Sequence, residues 1–305
     1  MKKFIRTIMI IMMTISLLKG QALLQGFSHP VDATGWGQQA ISTFQENGTG
    51  VVLNPALAAI SNHYLKFNYT NFVLDINSTS LAYGSSSSLG SYEIAVQTMN
   101  YGSWDRRDEA GNRLGSYSIN DLYTKFTWGG ELAKNFYMGI NLNYGFSRLY
   151  EYTANYLTAG FGIIYTMPSG FTLGLSTINN ELSGKSYVID EKLESLIILG
   201  ISKKLDYLPM RMGLDLIRTS NENYHANLGG KLSFQDIFLL WGLSSKREDV
   251  STEDAVQNLL GGISGGFGVN IDQYSLAFGY RNLGGIGSIL SFSVNWDLSQ
   301  GQNGS

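Results

Sequence analysis

Residues 138–165 read MGINLNYGFSRLYEYTANYLTAGFGIIY, and this stretch decides the fold. It contains two runs in which apolar residues alternate with small or polar ones. The apolar positions are Met138, Ile140, Leu142, Tyr144 and Phe146 in the first run, and Leu157, Ala159, Phe161, Ile163 and Tyr165 in the second. Side chains two residues apart lie on one face of a β-strand, so each run is predicted to be a strand with one apolar face.

The same period of two continues through the rest of the chain. It recurs over 65–69, 92–98, 210–216, 224–228 and 290–296. Counting such runs gives about 14 candidate strands between His63 and Asp297, at roughly the spacing of strands that cross a bilayer. The predicted fold class is all-β: a single transmembrane antiparallel β-barrel of about 14 strands, with a short N-terminal helical hatch in the lumen.

The lengths of the predicted connections support a membrane barrel. Long polar connections are predicted near 101–116, 179–194 and 244–258, each after an odd-numbered strand. Short ones are predicted near 166–170, 202–209 and 270–273, each after an even-numbered strand. Outer-membrane barrels have long extracellular loops and short periplasmic turns, so both termini are expected in the periplasm.

Composition separates this prediction from a soluble β-sandwich or lipocalin-like barrel. Only 15% of the 305 residues are charged, against roughly 25% in soluble domains. The face opposite the apolar one is mostly Gly, Ser, Asn and Thr, which suits a plugged lumen better than a water-facing exterior. Aromatic residues near the predicted strand ends suit interfacial girdles: Tyr101, Trp104, Trp128, Tyr165, Trp241, Tyr280 and Trp296.

The N-terminal residues have the pattern of an export signal. Lys2, Lys3 and Arg6 precede the apolar run 8–18, which is too short to span a bilayer as a helix. Gly20 and Ala22 are the small residues of a cleavage site. We therefore expect a signal peptide over 1–22, an N-terminal plug over 23–62, a barrel over 63–298 and a polar tail over 299–305, in a bacterial outer membrane.

One short helix is predicted in the plug. Residues 51–60 read VVLNPALAAI, where Asn54 suits an N-cap and Pro55 the first helical position. This is the only helical start that the pattern predicts. A cap inside the lumen accounts for Asn54, Pro55 and Ala56; a gating hatch is the alternative.

Two stretches resemble known barrels. The Asn54–Ala56 sequence resembles the N-terminal segment of FadL-like barrels. Residues 97–121, QTMNYGSWDRRDEAGNRLGSYSIND, resemble the PorV/PorQ family of that superfamily, with the closest likeness to its PorQ members, and the likeness continues over 141–180. The resemblance implies a 14-stranded outer-membrane barrel, with the Asn54–Ala56 segment in a hatch. It also implies an accessory role in type IX secretion, in which partners are secretion or attachment-complex proteins and exported cargo with C-terminal sorting domains.

The loop within 97–121 has two interpretations. Gly111 and Asn112 supply a tight turn, so the segment can be a simple hairpin tip. It can also be a partner-contacting loop, for which the candidate residues are Trp104, Asp108, Glu109, Gly111 and Asn112. The alternative function is a FadL-like channel for small hydrophobic solutes such as fatty acids or hydrocarbons.

Catalysis, cofactors and nucleic-acid binding are not expected. Gly262, Ser264 and Gly266 match the nucleophile pattern G-x-S-x-G, but they continue into a strand rather than a helix. The chain has no Cys and three dispersed His, a poor basis for a transition-metal site. Its formal charge of −3, without a basic cluster, does not favour a nucleic-acid partner.

Overall fold

The computed structural model describes most of the chain. It covers residues 29–46, 48–74, 76–108, 110–149, 151–186, 193–221, 223–246 and 260–299. The predicted signal peptide, Glu109 and most of the predicted polar tail lie outside the described residues. No helix among the described residues is long and apolar enough to cross a membrane.

Fourteen strands form one closed antiparallel barrel, which confirms the predicted fold class. The strands are β1 (Tyr64–Asn71), β2 (Asn77–Ser87), β3 (Gly90–Arg107), β4 (Arg113–Ala133), β5 (Phe136–Leu149), β6 (Tyr152–Thr166), β7 (Phe171–Lys185), β8 (Leu196–Lys204), β9 (Met210–Thr219), β10 (Tyr224–Phe234), β11 (Ile237–Ser244), β12 (Ile263–Ile271), β13 (Tyr274–Asn282) and β14 (Ser288–Asp297). Closure comes from β1 pairing with β14, from Tyr64 opposite Asp297 to Asn71 opposite Leu290. Since every strand has two neighbours, the sheet has no open edge along its length.

The alternation predicted from the sequence sets which side chains face outward. Leu142 on β5 is 46% exposed on the outer surface, whereas the next residue, Asn143, is 2% exposed in the lumen. Outward positions elsewhere are also apolar, among them Phe67, Leu81, Ile94, Phe126, Leu199, Phe267 and Phe292. A continuous apolar exterior of this kind suits lipid.

The two ends of the barrel differ as predicted. Connections after even-numbered strands are short turns: 88–89, 134–135, 167–170, 205–209, 235–236 and 272–273. Connections after odd-numbered strands include the longer spans 186–195 and 245–262. We call these the short-turn end and the long-connection end. β1 begins and β14 finishes at the short-turn end.

Two predicted details are wrong. Residues 101–116 are not one long loop, because β3 and β4 continue pairing until Arg107 lies opposite Arg113, and only 108–112 connect them. Tyr101 does not join an outer girdle. A β-bulge between Asn100 and Ser103 shifts the register there, and the Tyr101 hydroxyl donates to lumenal Asp121 at 2.8 Å.

The lumen is filled by the segment that precedes β1, which we call the plug (described residues 29–62). It holds a helix that the sequence did not predict, α1 (Ala33–Gln38), and the predicted helix at Asn54 is a 3₁₀ helix, Pro55–Ile60. The sequence ATGWGQ in α1 contains two glycines and has little intrinsic helix propensity. Asp32 caps α1 by accepting the Gly35 N–H at 2.7 Å, and burial inside the barrel stabilises the rest.

The plug runs along the lumen from one end towards the other. Trp36 packs edge-on against Phe72, which lies in the connection after β1 at the long-connection end, with ring centroids 5.6 Å apart. His29 stacks on Trp36 at 6.0 Å. The plug then reaches β1 at the short-turn end. The first described residue therefore lies towards the long-connection end, and the terminus itself lies outside the described residues.

Candidate functional site: the plug and the projecting hairpin

The hatch residues Asn54, Pro55 and Ala56 are buried against β5, β6 and β7. The Asn54 side chain accepts the Ala56 N–H at 3.1 Å, and its amide donates to the Ile163 carbonyl at 3.3 Å. The Ser176 hydroxyl donates to the Leu53 carbonyl at 2.6 Å. The capping interpretation of Asn54 is therefore confirmed, and the same side chain also binds the barrel wall.

Inward-facing glycines allow the plug backbone to approach the wall. A Cβ added at Gly139 would overlap the Pro55 carbonyl, and one at Gly229 would overlap the Gln38 carbonyl. Other inward glycines against plug atoms are Gly129, Gly162, Gly174, Gly200, Gly242 and Gly279. The abundance of glycine on the lumenal face thus has a packing cause: the wall leaves room for a second backbone.

The sequence suggested that the lumenal face consists of small and polar residues. Part of that face is apolar instead. Ile178, Ile198 and Ile217 point inward from β7, β8 and β9 and pack with Ile41 and Leu53 of the plug. A second group joins Ala33 of α1 to Phe238, Leu240 and Ala277. These apolar contacts, together with the glycine contacts, make the plug part of the barrel's core.

Charged side chains also fix the plug, and sequence analysis did not assign them a role. Lys66 on β1 lies 2.6 Å from the Asp32 carboxylate and 3.1 Å from the Thr49 hydroxyl. Lys231 on β10 lies 3.0 Å from Glu46. Since an unpaired buried charge is strongly unfavourable, these pairs favour the seated plug over a displaced one.

Asp215 on β9 makes the most extensive of these contacts. One carboxylate oxygen accepts the N–H groups of Ile41 and Ser42 at 2.9 and 3.0 Å. The other accepts the Ser42 hydroxyl at 2.5 Å. The signal for Lys66 and Asp215 was present in the sequence, because each is a charged residue on the inward face of a predicted strand.

An apolar cluster occupies the lumen near the long-connection end. Its buried members are Met99, Tyr123, Ala154, Tyr156 and Leu193. Leu193 comes from the connection between β7 and β8, so a loop residue folds inward onto three strands. The cluster thus places apolar groups in the lumen at this end.

The projecting hairpin consists of residues 101–119, where β3 and β4 extend past their outer neighbours. β2 pairs with β3 only up to Asn100, and β5 pairs with β4 only from Ile119. Trp104 on this hairpin is 52% exposed and lies opposite Tyr117. Asp105 and Arg113 form an exposed ion pair at 3.0 Å. The hairpin is thus a two-stranded ribbon with exposed aromatic and charged side chains.

The tip of the hairpin is held by Asp108. Its carboxylate accepts the Asn112 N–H at 2.7 Å and the Asn112 side-chain amide at 2.9 Å. These hydrogen bonds, the side-chain one first, hold the pKa of Asp108 below its usual range. Gly111 has φ +84°, a conformation that favours glycine. Asp108, Gly111 and Asn112 thus lie in the turn that forms the tip of the hairpin.

The hatch and the hairpin are separate sites. The hatch packs against the short-turn halves of β5 and β6, whereas the hairpin stands at the long-connection end. Ser264, the candidate nucleophile set aside above, lies in β12, and its hydroxyl donates to the Gly37 carbonyl at 2.9 Å. It is another contact between wall and plug.

Comparison with known proteins shows which solved structures have a similar fold. No protein-family profile and no curated protein sequence matches the chain. Among solved structures, the TodX deltaS2S3 mutant monoaromatic hydrocarbon channel is similar over 88% of this chain and 97% of its own, with 10% identity and a TM-score of 0.61. The Pseudomonas putida toluene transporter TodX is similar over 88% and 96%, with 11% identity and a TM-score of 0.59.

A Pseudomonas aeruginosa FadL homologue is also similar, over 88% of this chain and 98% of its own, with 11% identity and a TM-score of 0.54. At these identities the likeness is one of fold. The chain therefore has the FadL-like barrel fold.

Proposed function

We propose that this protein is an outer-membrane barrel that serves as an accessory of type IX protein secretion. In this role it binds secretion or attachment-complex proteins, or exported cargo with C-terminal sorting domains, at the cell surface. The observation that carries the proposal is the projecting hairpin. It is built from the stretch 101–119, which lies within the residues on which the PorV/PorQ resemblance rests.

The orientation of the barrel supports a surface role for the hairpin. Outer-membrane barrels place their short turns in the periplasm and their longer loops outside the cell. By that rule the long-connection end is extracellular. Residues 101–119 then extend into the medium beyond β2 and β5, where a protein partner can reach both faces of the ribbon.

The side chains on the hairpin suit protein binding. Binding energy in protein interfaces is concentrated in Trp, Tyr and Arg. Trp104, Tyr117 and Arg113 bring these three residue types together, and Arg113 keeps 65% of its side chain exposed. The hydrogen bond from the Asn112 N–H to the Asp108 carboxylate orders the tip of the ribbon. An ordered ribbon loses less conformational entropy when a partner binds.

The plugged lumen supports binding over free diffusion through the barrel. Charged contacts at Asp32, Glu46 and Asp215 fix the plug, and the apolar cluster at Leu193 lies above it. A diffusion porin would instead need an open aqueous channel.

A deletion strain tests the proposal directly. Surface display of sorting-domain cargo should fall in cells that lack the protein and return with the wild-type gene. The Trp104→Ala variant should restore display poorly, because it removes the exposed aromatic group of the hairpin. Tyr152→Ala is the matched control, since Tyr152 is 55% exposed at the same end but outside the hairpin. Normal cargo display in the deletion strain would refute the role.

A second candidate function is a channel for small hydrophobic solutes. It is favoured by the likeness to hydrocarbon channels and by the apolar cluster around Tyr123 and Tyr156. In that case the Asn54–Ala56 hatch would act as the gate. Uptake of toluene and of a long-chain fatty acid should then drop in the deletion strain; unchanged uptake of both would exclude this function.

A further inference from the structure

Two cavities with charged and polar side chains among their lining residues lie between the plug and the barrel wall. The first, of about 50 Å³, is lined by Asn68, Glu93, Gln97 and Lys125. It borders Tyr123 of the apolar cluster, on the side of the long-connection end. Its volume is sufficient for several water molecules.

The second cavity, of about 40 Å³, lies nearer the short-turn end. It is lined by Glu46, Lys231, Ser275 and Asn295. Ser275 is the second residue of β13, and Asn295 is two residues from the end of β14, so both lie close to the short-turn end.

The two cavities meet at a single buried ion pair. Asp32, Thr49 and Lys66 line both of them. The Lys66 ammonium lies 2.6 Å from Asp32 and 3.1 Å from Thr49, so these three side chains fill the space between the cavities.

Polar atoms in both cavities need water. The side-chain oxygens of Asn68 in the first and Asn295 in the second are buried and have no hydrogen-bond partner among the described residues. Buried amide oxygens in this position are ordinarily satisfied by ordered water. The cavities are therefore expected to be hydrated.

Elsewhere the plug packs directly against the wall. There the plug backbone lies directly against strand glycines, as at Pro55 on Gly139 and Gln38 on Gly229. The apolar groups around Ile178 and Ile198 fill the gaps between these contacts. The two cavities follow β1–β4, β13 and β14, and the second is also lined by Lys231 of β10 and Phe238 of β11.

We propose that the two cavities form a hydrated path for small inorganic ions and that the Asp32–Lys66 pair closes it. The path is lined by cationic side chains, Lys66, Lys125 and Lys231, and by an equal number of carboxylates, Asp32, Glu46 and Glu93. Balanced charge of this kind gives little preference for cations over anions. The path is independent of the proposed role in secretion.

Salt efflux from liposomes tests the proposal. The full-length mature protein, reconstituted in liposomes loaded with KCl, should release salt slowly. The Asp32→Asn/Lys66→Ala variant should release it at least about tenfold faster, which corresponds to a barrier lower by about 1.4 kcal/mol. Asn at position 32 can still cap α1. Asn143→Ala, which removes a hydrogen bond to Thr158 within the barrel wall rather than a plug contact, should match the wild type.

A blocking experiment tests where the path runs. Because the chain has no Cys, a single cysteine can be introduced into the fast-releasing variant. A bulky charged thiol reagent should slow efflux when the cysteine replaces Gln97, and have no effect when it replaces Asn143. Efflux from the double variant equal to that of the wild type, or equal blocking at both positions, would overturn the proposal. The double variant is folded if it migrates differently on a gel before and after boiling. If it does not fold, the Lys66→Ala variant is measured in its place, and the same results are expected.

Discussion

Asp215 on β9 binds Ser42 of the plug through both of its carboxylate oxygens. One accepts the Ser42 N–H at 3.0 Å and the other the Ser42 hydroxyl at 2.5 Å. The residues are separated by 173 positions in sequence, so this contact forms only when the plug is seated inside the closed barrel. It links the conformation of the plug to the stability of the barrel.

Removing this carboxylate should destabilise the folded barrel. Asp215→Ala leaves the N–H groups of Ile41 and Ser42 buried without an acceptor, so we expect a loss of about 2–4 kcal/mol. The measurement is the temperature at which the folded gel band converts to the unfolded one. Asp236→Ala, at an exposed turn, should change stability by less than about 0.5 kcal/mol. Equal effects of the two substitutions would show that the contact does not stabilise the barrel.

Close backbone packing predicts a difference between two glycines. Gly139→Ala places a Cβ against the Pro55 carbonyl and should cost about 1–3 kcal/mol through overpacking. Gly265→Ala is the matched control on β12, because its Cβ would have only the Leu240 carbonyl oxygen nearby, at 3.5 Å. Unfolding in urea in the presence of lipid compares them. A Gly139→Ala variant as stable as the control would mean that the hatch does not rest on β5.

Because Leu142 faces outward in the middle of a strand, a charged residue at this position should strongly destabilise the folded barrel. Leu142→Arg places a cation on the apolar exterior and should cost about 2–4 kcal/mol, whereas an exposed site near the interface tolerates Arg at about 0–1 kcal/mol. Leu208→Arg, in the turn between β8 and β9, supplies that second case. Folding yield into liposomes reports both, and a Leu208→Arg variant that folds worse than Leu142→Arg would contradict the assigned register.

The order of the hairpin tip depends on Asp108. Its pKa is held below the usual range by hydrogen bonds to the charged form, so the carboxylate is ionised and bonded at neutral pH. This contribution is present above the ordinary carboxyl pKa and is lost as the pH falls through the lowered value. At pH 8, trypsin should therefore cut the hairpin, for example after Arg113, faster in Asp108→Ala than in the wild type. Asp206→Ala, at another exposed turn, should leave that cleavage unchanged; a rate equal to wild type in Asp108→Ala would show that Asp108 does not order the tip.

The strands could be predicted from sequence because each run carries its own signal. Leu142 and Asn143 face opposite sides for a purely local reason, the period of two along a strand. The same strand count predicted that the short connections follow even-numbered strands. The short helix at Pro55 could be predicted because Asn54 and Pro55 are adjacent and suit the N-cap and first helical positions.

The missed features depend on distant partners. Helix α1 has little propensity of its own and is stabilised by Asp32 and by burial, so no local pattern indicated it. The roles of Asp215 and Lys66 require knowledge of which plug residues they face. The hairpin was predicted as a loop because glycines and polar residues dominate 101–116; cross-strand pairing with bulges makes it a ribbon.

The most direct test of the proposed function is to identify what binds the projecting hairpin. Tagged wild-type protein and the Trp104→Ala variant would be purified from native membranes in mild detergent, and co-purifying proteins identified by mass spectrometry. We predict that surface proteins with a common C-terminal sorting domain, or secretion-complex subunits, accompany the wild type and are depleted with Trp104→Ala. Bound lipid or hydrocarbon without such proteins would contradict the secretion role and favour the hydrophobic-solute channel.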